Sequence, residues 1–88
     1  MPQRRIIIAD DYEEMKYFLA ETVSLFDRDA IIETVSTGED LVKKVKHASY
    51  DLILTDNDMG KGIYGIEAIR QIREFNKEVT LYMISADD

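Results

Sequence analysis

Two short apolar runs in this chain stop abruptly on acids. Ile6-Ile7-Ile8-Ala9 ends at Asp10-Asp11, and Leu52-Ile53-Leu54-Thr55 ends at Asp56, with Asp58 two residues on. A third run, Val79–Ile84, ends on the hydroxyl of Ser85. Carboxylates held within a few ångströms of one another repel, so a site built from Asp10, Asp11 and Asp56 calls for a compensating cation. Lys61 is near in sequence, but it lies in a loop between Gly60 and Gly62. Oxygen donors with no His or Cys beside them favour a hard ion. One or two carboxylates plus waters suit Mg²⁺, which keeps open positions for phosphate oxygens. A carboxylate beside such an ion can also attack phosphorus and form an aspartyl phosphate, the metal and nearby donors neutralising the developing charge.

Those acids can meet only if the chain brings the ends of the runs together. Arg4–Ala9 is β-branched and apolar, which reads as a buried strand. The period then changes: Met15, Phe18, Leu19, Thr22 and Phe26 share one helical face, with Asp11 as the expected N-cap and Glu13 and Glu14 in the first turn. Ala30–Val35 is a second strand, and Ser36 or Thr37 caps a helix that begins near Glu39 and packs Leu41, Val42 and Val45. Asp51–Thr55 is the third strand. A loop with Gly60, Gly62 and Gly65 leads to a third helix, expected to place Ile66, Ile69, Ile72 and Phe75 on one side. Val79–Ile84 is the fourth strand.

The order βαβαβαβ means parallel strands joined by right-handed crossovers, and near-continuous apolar strands fit a sheet covered on both faces. The carboxyl ends of all strands then share one edge. Ligands bind there, at the point where strand order reverses. For the order 2-1-3-4 that point lies between strands one and three, where Asp10, Asp11 and Asp56 would converge.

Composition narrows the classes of function. The chain has 88 residues, and its 11 Lys+Arg against 18 Asp+Glu give 11 − 18 = −7. That length allows one domain. An acidic surface argues against nucleic acid or an anionic membrane as partner. No apolar run is long enough to cross a bilayer, and the first residues, MPQRR, lack the apolar core of a signal peptide, so a cytoplasmic protein is expected. Without cysteine there is no disulfide framework and no thiolate zinc site.

Simpler readings of the same residues exist. Asp11 alone could be only a cap, and Asp56-Asn57-Asp58 only a polar turn. Gly60-Lys61-Gly62-Ile63-Tyr64-Gly65 matches G-x-G-x-x-G, but that fingerprint belongs to the first strand–helix turn and here falls in the third. Lys43, Lys44, Lys46 and His47 read as a wet helix face. Tyr12 and Tyr17 read as boundary packing.

The pieces Ile7-Ile8-Ala9-Asp10-Asp11, Tyr50-Asp51-Leu52-Ile53-Leu54-Thr55-Asp56, Met59, Gly65 and Ser85-Ala86 together resemble the receiver (CheY-like) domain of two-component response regulators. The resemblance implies a flavodoxin-like parallel sheet and a phosphorelay function. It implies that Asp56 is the phosphoacceptor, with a phosphohistidine of a sensor histidine kinase as donor. Asp11 would be a direct Mg²⁺ ligand, Asp10 would act through water, the backbone carbonyl of Asp58 would be a further ligand, and Ser85 would hydrogen-bond the phosphoryl group. Such a domain catalyses only its own phosphorylation and dephosphorylation, so no separate enzyme activity is expected. Two other classes fit parts of the pattern: a non-phosphorylated interaction module on the same scaffold, and a Mg²⁺ phosphohydrolase of the haloacid dehalogenase kind, suggested by Asp56-x-Asp58.

The chain departs from the receiver pattern in three places. Gly60 stands where Pro commonly follows the loop Met, and the loop from Asp56 to Gly65 looks one residue longer than usual. Receivers also carry a fifth strand with a phosphate-binding Lys, and a fourth and fifth helix. Residues 1–88 are therefore expected to be a single, C-terminally truncated receiver domain, with its own phosphorylation impaired. Its fourth strand would be left as an open, uncharged edge beside an uncovered sheet face. A homodimer or swapped oligomer through that edge and face is expected.

Overall fold

The structure is a computed structural model that describes residues 3–84. Its elements alternate as expected. They are β1 (Arg5–Ala9), α1 (Glu13–Phe26), β2 (Ile31–Val35), α2 (Gly38–His47), β3 (Leu52–Asp56), α3 (Gly65–Phe75) and β4 (Thr80–Ile84). The four strands form one sheet in the order β2-β1-β3-β4, every pair parallel. β1 sits inside it, with Ile8 opposite both Thr34 and Leu54. Its Ile7 and Ile8 are fully buried because helices lie above and below.

The two faces are unequal. Ile7 and Ala9 of β1, Ile53 of β3 and Leu81 of β4 meet Leu41, Val42 and Val45 of α2 and Ala68 and Ile72 of α3. This is the main core, closed by Tyr50, Met59 and Val79. The opposite face receives Ile6 and Ile8, and α1 packs against β1 there.

α1 corrects the expected face. Phe18 and Phe26 are 61% and 88% exposed and Met15 is exposed too, whereas Lys16, one step round the helix, is buried. The Lys16 stem packs inward while its Nζ reaches Ser36 Oγ at 2.6 Å and Glu13 Oε1 at 3.1 Å, so its charge is met. In α3, Ile72 and Ala68 are buried but Ile66 and Phe75 are exposed. On β4, Tyr82, Met83 and Ile84 are all exposed, and among the described residues β3 is the only strand paired with it.

α2 begins as expected: Thr37 Oγ1 accepts a hydrogen bond from the Asp40 N–H at 3.1 Å. α1 does not. Its N-cap position is Tyr12, which makes no side-chain cap bond. The local carboxylate bond comes instead from Asp10, whose Oδ1 accepts the Tyr12 N–H at 3.0 Å. Asp11 is thereby left out of the helix start.

Candidate functional site

Parallel pairing in register brings the carboxyl ends of β1 and β3 side by side, Ala9 against Thr55. The next residues of both strands are acids. Asp10, Asp11 and Asp56 each offer a carboxylate oxygen, and these oxygens lie within 4.8 Å of one another. Asp10 is buried, Asp56 half-buried and Asp11 exposed, so the cluster runs from the sheet edge into solvent.

Each carboxylate is held differently. Asp10 Oδ1 accepts the Tyr12 N–H, and Asp56 Oδ1 accepts the Asn57 N–H at 2.8 Å. Among the described residues Asp11 accepts no hydrogen bond, and no Lys or Arg pairs with any of the three. Burial pushes the Asp56 carboxyl above the ordinary carboxylate range; the Asn57 N–H opposes this, and the charges of Asp10, Asp11 and Asp58 add to it. All donors are oxygen, negative charge is in excess, and one oxygen of each acid lies near one oxygen of the other two. That donor set fits a hard divalent cation.

Asp58 stands apart from the cluster. It is exposed, and its Oδ1 accepts the Gly60 N–H at 3.0 Å. Lys61 is exposed and forms no ion pair among the described residues. Ser85 lies outside the described residues.

Asn57 and Gly65 position the site although neither type announces it. Asn57 is clamped between strand and helix: its carbonyl accepts the Gly65 N–H at 2.6 Å and its side-chain oxygen accepts the Ile66 N–H at 3.0 Å. One residue thus caps α3 and fixes the exit of β3. A Cβ on Gly65 would overlap the Asp56 carbonyl, so only glycine lets α3 start against the backbone of that acid.

Comparison with known proteins agrees with this geometry. The family described as the response regulator receiver domain matches residues 6–88. The chain belongs to that family. A protein-glutamate methylesterase/protein-glutamine glutaminase of Trichodesmium erythraeum is 29% identical over 86 residues, 98% of this chain and 24% of that protein. The autoinducer 2 sensor kinase/phosphatase LuxQ of Vibrio vulnificus is 44% identical over 57 residues, 64% of this chain and 6% of that protein. The chain thus spans a quarter or less of these curated relatives. Among solved structures, the response regulator TrrA of Thermotoga maritima, in complex with Mg²⁺ and BeF, is similar with a TM-score of 0.90 at 29% identity. The match covers 98% of this chain and 72% of that one. TrrA in complex with the histidine kinase ThkA is similar with a TM-score of 0.86.

The receiver sheet order and the acid cluster expected from sequence are therefore both present. No helix among the described residues is long and apolar enough to cross a membrane.

Proposed function

We propose that this receiver domain binds Mg²⁺ at Asp10, Asp11 and Asp56 and accepts a phosphoryl group on Asp56 from the phosphohistidine of a sensor histidine kinase. The observation that carries the reading is the convergence of three carboxylates, with no ion pair among the described residues, at the carboxyl ends of β1 and β3. TrrA, similar over nearly all of this chain, has been seen both with Mg²⁺ and BeF and with a histidine kinase, which supports ion and donor alike.

The way each acid is held supports the roles that the receiver pattern implies. Asp56, half-buried, keeps Oδ1 on the Asn57 N–H, and among the described residues its Oδ2 has no hydrogen-bond partner. In transfer an Asp56 oxygen forms a bond to phosphorus while the phosphorus–nitrogen bond of the donor breaks, the electron pair leaving with the imidazole. Asp11, exposed and free of hydrogen bonds among the described residues, is the direct metal ligand. Asp10, committed in part to Tyr12, acts through water. The backbone carbonyl of Asp58 is a further ligand, and Ser85 hydrogen-bonds the phosphoryl group. Bound there, the ion supplies neutralisation of charge on the cluster and on the incoming phosphoryl oxygens. The chain works in the cytoplasm as a receiver domain, catalysing its own phosphorylation and dephosphorylation.

We infer further that the 88-residue chain self-associates through the β4 edge and the α1-side face, supported by the exposed Phe18, Leu25 and Phe26 of α1 and Tyr82 of β4.

Titration with Mg²⁺ and then beryllofluoride, followed by amide NMR shifts, tests the site. Saturable shifts at Asp10, Asp11 and Asp56 with Mg²⁺, and a second set at Asp56 and Ser85 with beryllofluoride, are expected. Shifts scattered over the acidic surface, with none at Asp56, would overturn the reading.

A further inference from the structure

The loop from Asn57 to Tyr64 connects the acid cluster to α3, and its path is held by a residue from another element. We propose that Glu39, in the first turn of α2, is a positioning residue for the cluster: its carboxylate latches this loop and thereby keeps Gly60 against Asp11. The proposal rests on the reading of the cluster as a cation site.

Glu39 Oε2 accepts the Ile63 N–H at 3.0 Å across 24 positions of sequence. The same carboxylate lies flat on Gly62, where a Cβ would overlap all three of its outer atoms. Gly62 has φ of +76°, a left-handed conformation that turns the next amide toward Glu39 and that other residues adopt only with strain. Ile63 in turn packs on the Cα of Gly38, the residue before Glu39. Loop and helix start are thus joined by one charge-assisted hydrogen bond and one close backbone contact.

The other end of the segment is also anchored. Met59 is buried in the main core. Between Met59 and Ile63 the chain passes Gly60, whose backbone comes so close to Asp11 that a Cβ there would sit 3.2 Å from Oδ2. Asp11 itself has no hydrogen bond among the described residues to fix its rotamer. Its carboxylate is confined on this side by Gly60, and Gly60 is confined by Met59 on one flank and the Glu39 latch on the other. With the latch released, the segment keeps the Met59 anchor, the packing of Ile63 on Gly38 and the local Asp58–Gly60 bond, but no polar tie to α2. The wall beside Asp11 then moves, and the cluster loses preorganisation for an ion.

Substitutions at Glu39 separate reach from charge. Glu39→Gln removes the charge but keeps an acceptor for the Ile63 N–H. Glu39→Asp keeps the charge but is one methylene too short. Glu39→Ala removes both. Losing one charge-assisted hydrogen bond in a solvated loop corresponds to a change of about three- to tenfold in an equilibrium that depends on it. Mg²⁺ affinity, read by amide shifts of Asp11 and Asp56, is expected to fall by about that factor in Glu39→Ala and Glu39→Asp and to be largely retained in Glu39→Gln. Gly60 and Gly62 amides in the metal-free chain should lose order in the same two variants, read by ¹⁵N relaxation. Weakening in Glu39→Gln and Glu39→Ala with wild-type behaviour of Glu39→Asp would mean that Glu39 acts through charge alone, and wild-type behaviour of Glu39→Ala would mean that it acts through nothing; either overturns the latch. If the wild-type chain binds no Mg²⁺, the cation reading fails, and the relaxation of the metal-free variants still decides whether Glu39 holds the loop.

Discussion

Asp56→Asn should stabilise the metal-free protein at neutral pH, although it removes the residue on which the proposed chemistry depends. Asn keeps the shape of Asp and an oxygen for the Asn57 N–H, so packing and that 2.8 Å bond survive in weaker form. What disappears is repulsion. At 4.8 Å one pair of like charges repels by about 0.9 kcal/mol in bulk water and about 3.5 kcal/mol at an effective dielectric of 20. Asp11 is exposed and belongs near the first limit; Asp10 is buried and lies further toward the second. Against this stands the charge assistance lost from the Asn57 bond, about 1 kcal/mol. The net gain is about 1–2 kcal/mol, and for a domain of this size that is a rise in Tm of roughly 5–12 °C.

The pH dependence fixes the cause. Burial, joined by the neighbouring acids, raises the Asp56 carboxyl above its unfolded value. A raised folded value means that the protonated form is favoured by folding. That contribution is fully present below the unfolded pKa and is lost as pH rises through the folded one. Wild type therefore carries its penalty at neutral pH and sheds it in acid, while Asn carries none at either. Thermal melts of both proteins in chelator, from pH 7 to pH 3, should show a difference that closes on acidification. An Asn variant no more stable than wild type at pH 7, or equally advantaged at pH 3, would refute the reasoning.

Two further outcomes follow from other parts of the molecule. Tyr50 donates its hydroxyl to Glu33 Oε1 at 2.5 Å beneath the Arg5 guanidinium, and burial with that bond pushes its pKa up to about 12; absorbance at 295 nm should show one of the five tyrosines ionising last, with the stability it lends lost only as pH rises toward that value, and a single transition near pH 10 would contradict the contact. Size-exclusion with light scattering at high micromolar concentration should give a mass above one chain, and a clean monomer would refute the proposed pairing through β4.

The sheet and its acids were legible because the signals are local and coincide. An apolar β-branched run that stops on an acid defines both a strand and the edge at which its acid lies, and parallel order then brings Asp10 and Asp56 together without further information. α1 misled because its apolar residues do have a helical period, while the face that packs includes Lys16, whose burial depends on Ser36 twenty positions away. Asp11 looked like a cap because it precedes a helix; the bond that starts the turn belongs to Asp10, and only coordinates show which carboxylate turned back. The loop was the least legible part. Asn57, Gly65 and Glu39 act through backbone groups of distant or unrelated segments, and no periodicity encodes a carboxylate in α2 that accepts the Ile63 N–H.

The acids that weaken the metal-free fold and those that would bind the ion are the same, and this couples stability to occupancy. Three carboxylates that pair with no Lys or Arg among the described residues are worth most to a divalent ion when they are held together, and they are costly to hold together in its absence. The sheet supplies the holding: β1 and β3 are paired over four positions, and their acids cannot separate without breaking that ladder. A ligand that binds only the folded chain adds RT ln(1 + [L]/Kd), about 2.7 kcal/mol at a hundredfold excess over Kd. That is of the same order as the repulsion worked out for Asp56 alone. Ion binding thus has enough free energy to cancel the penalty. Occupied and empty states of this domain should therefore differ in stability more than in shape, because the sheet that fixes the acids is common to both.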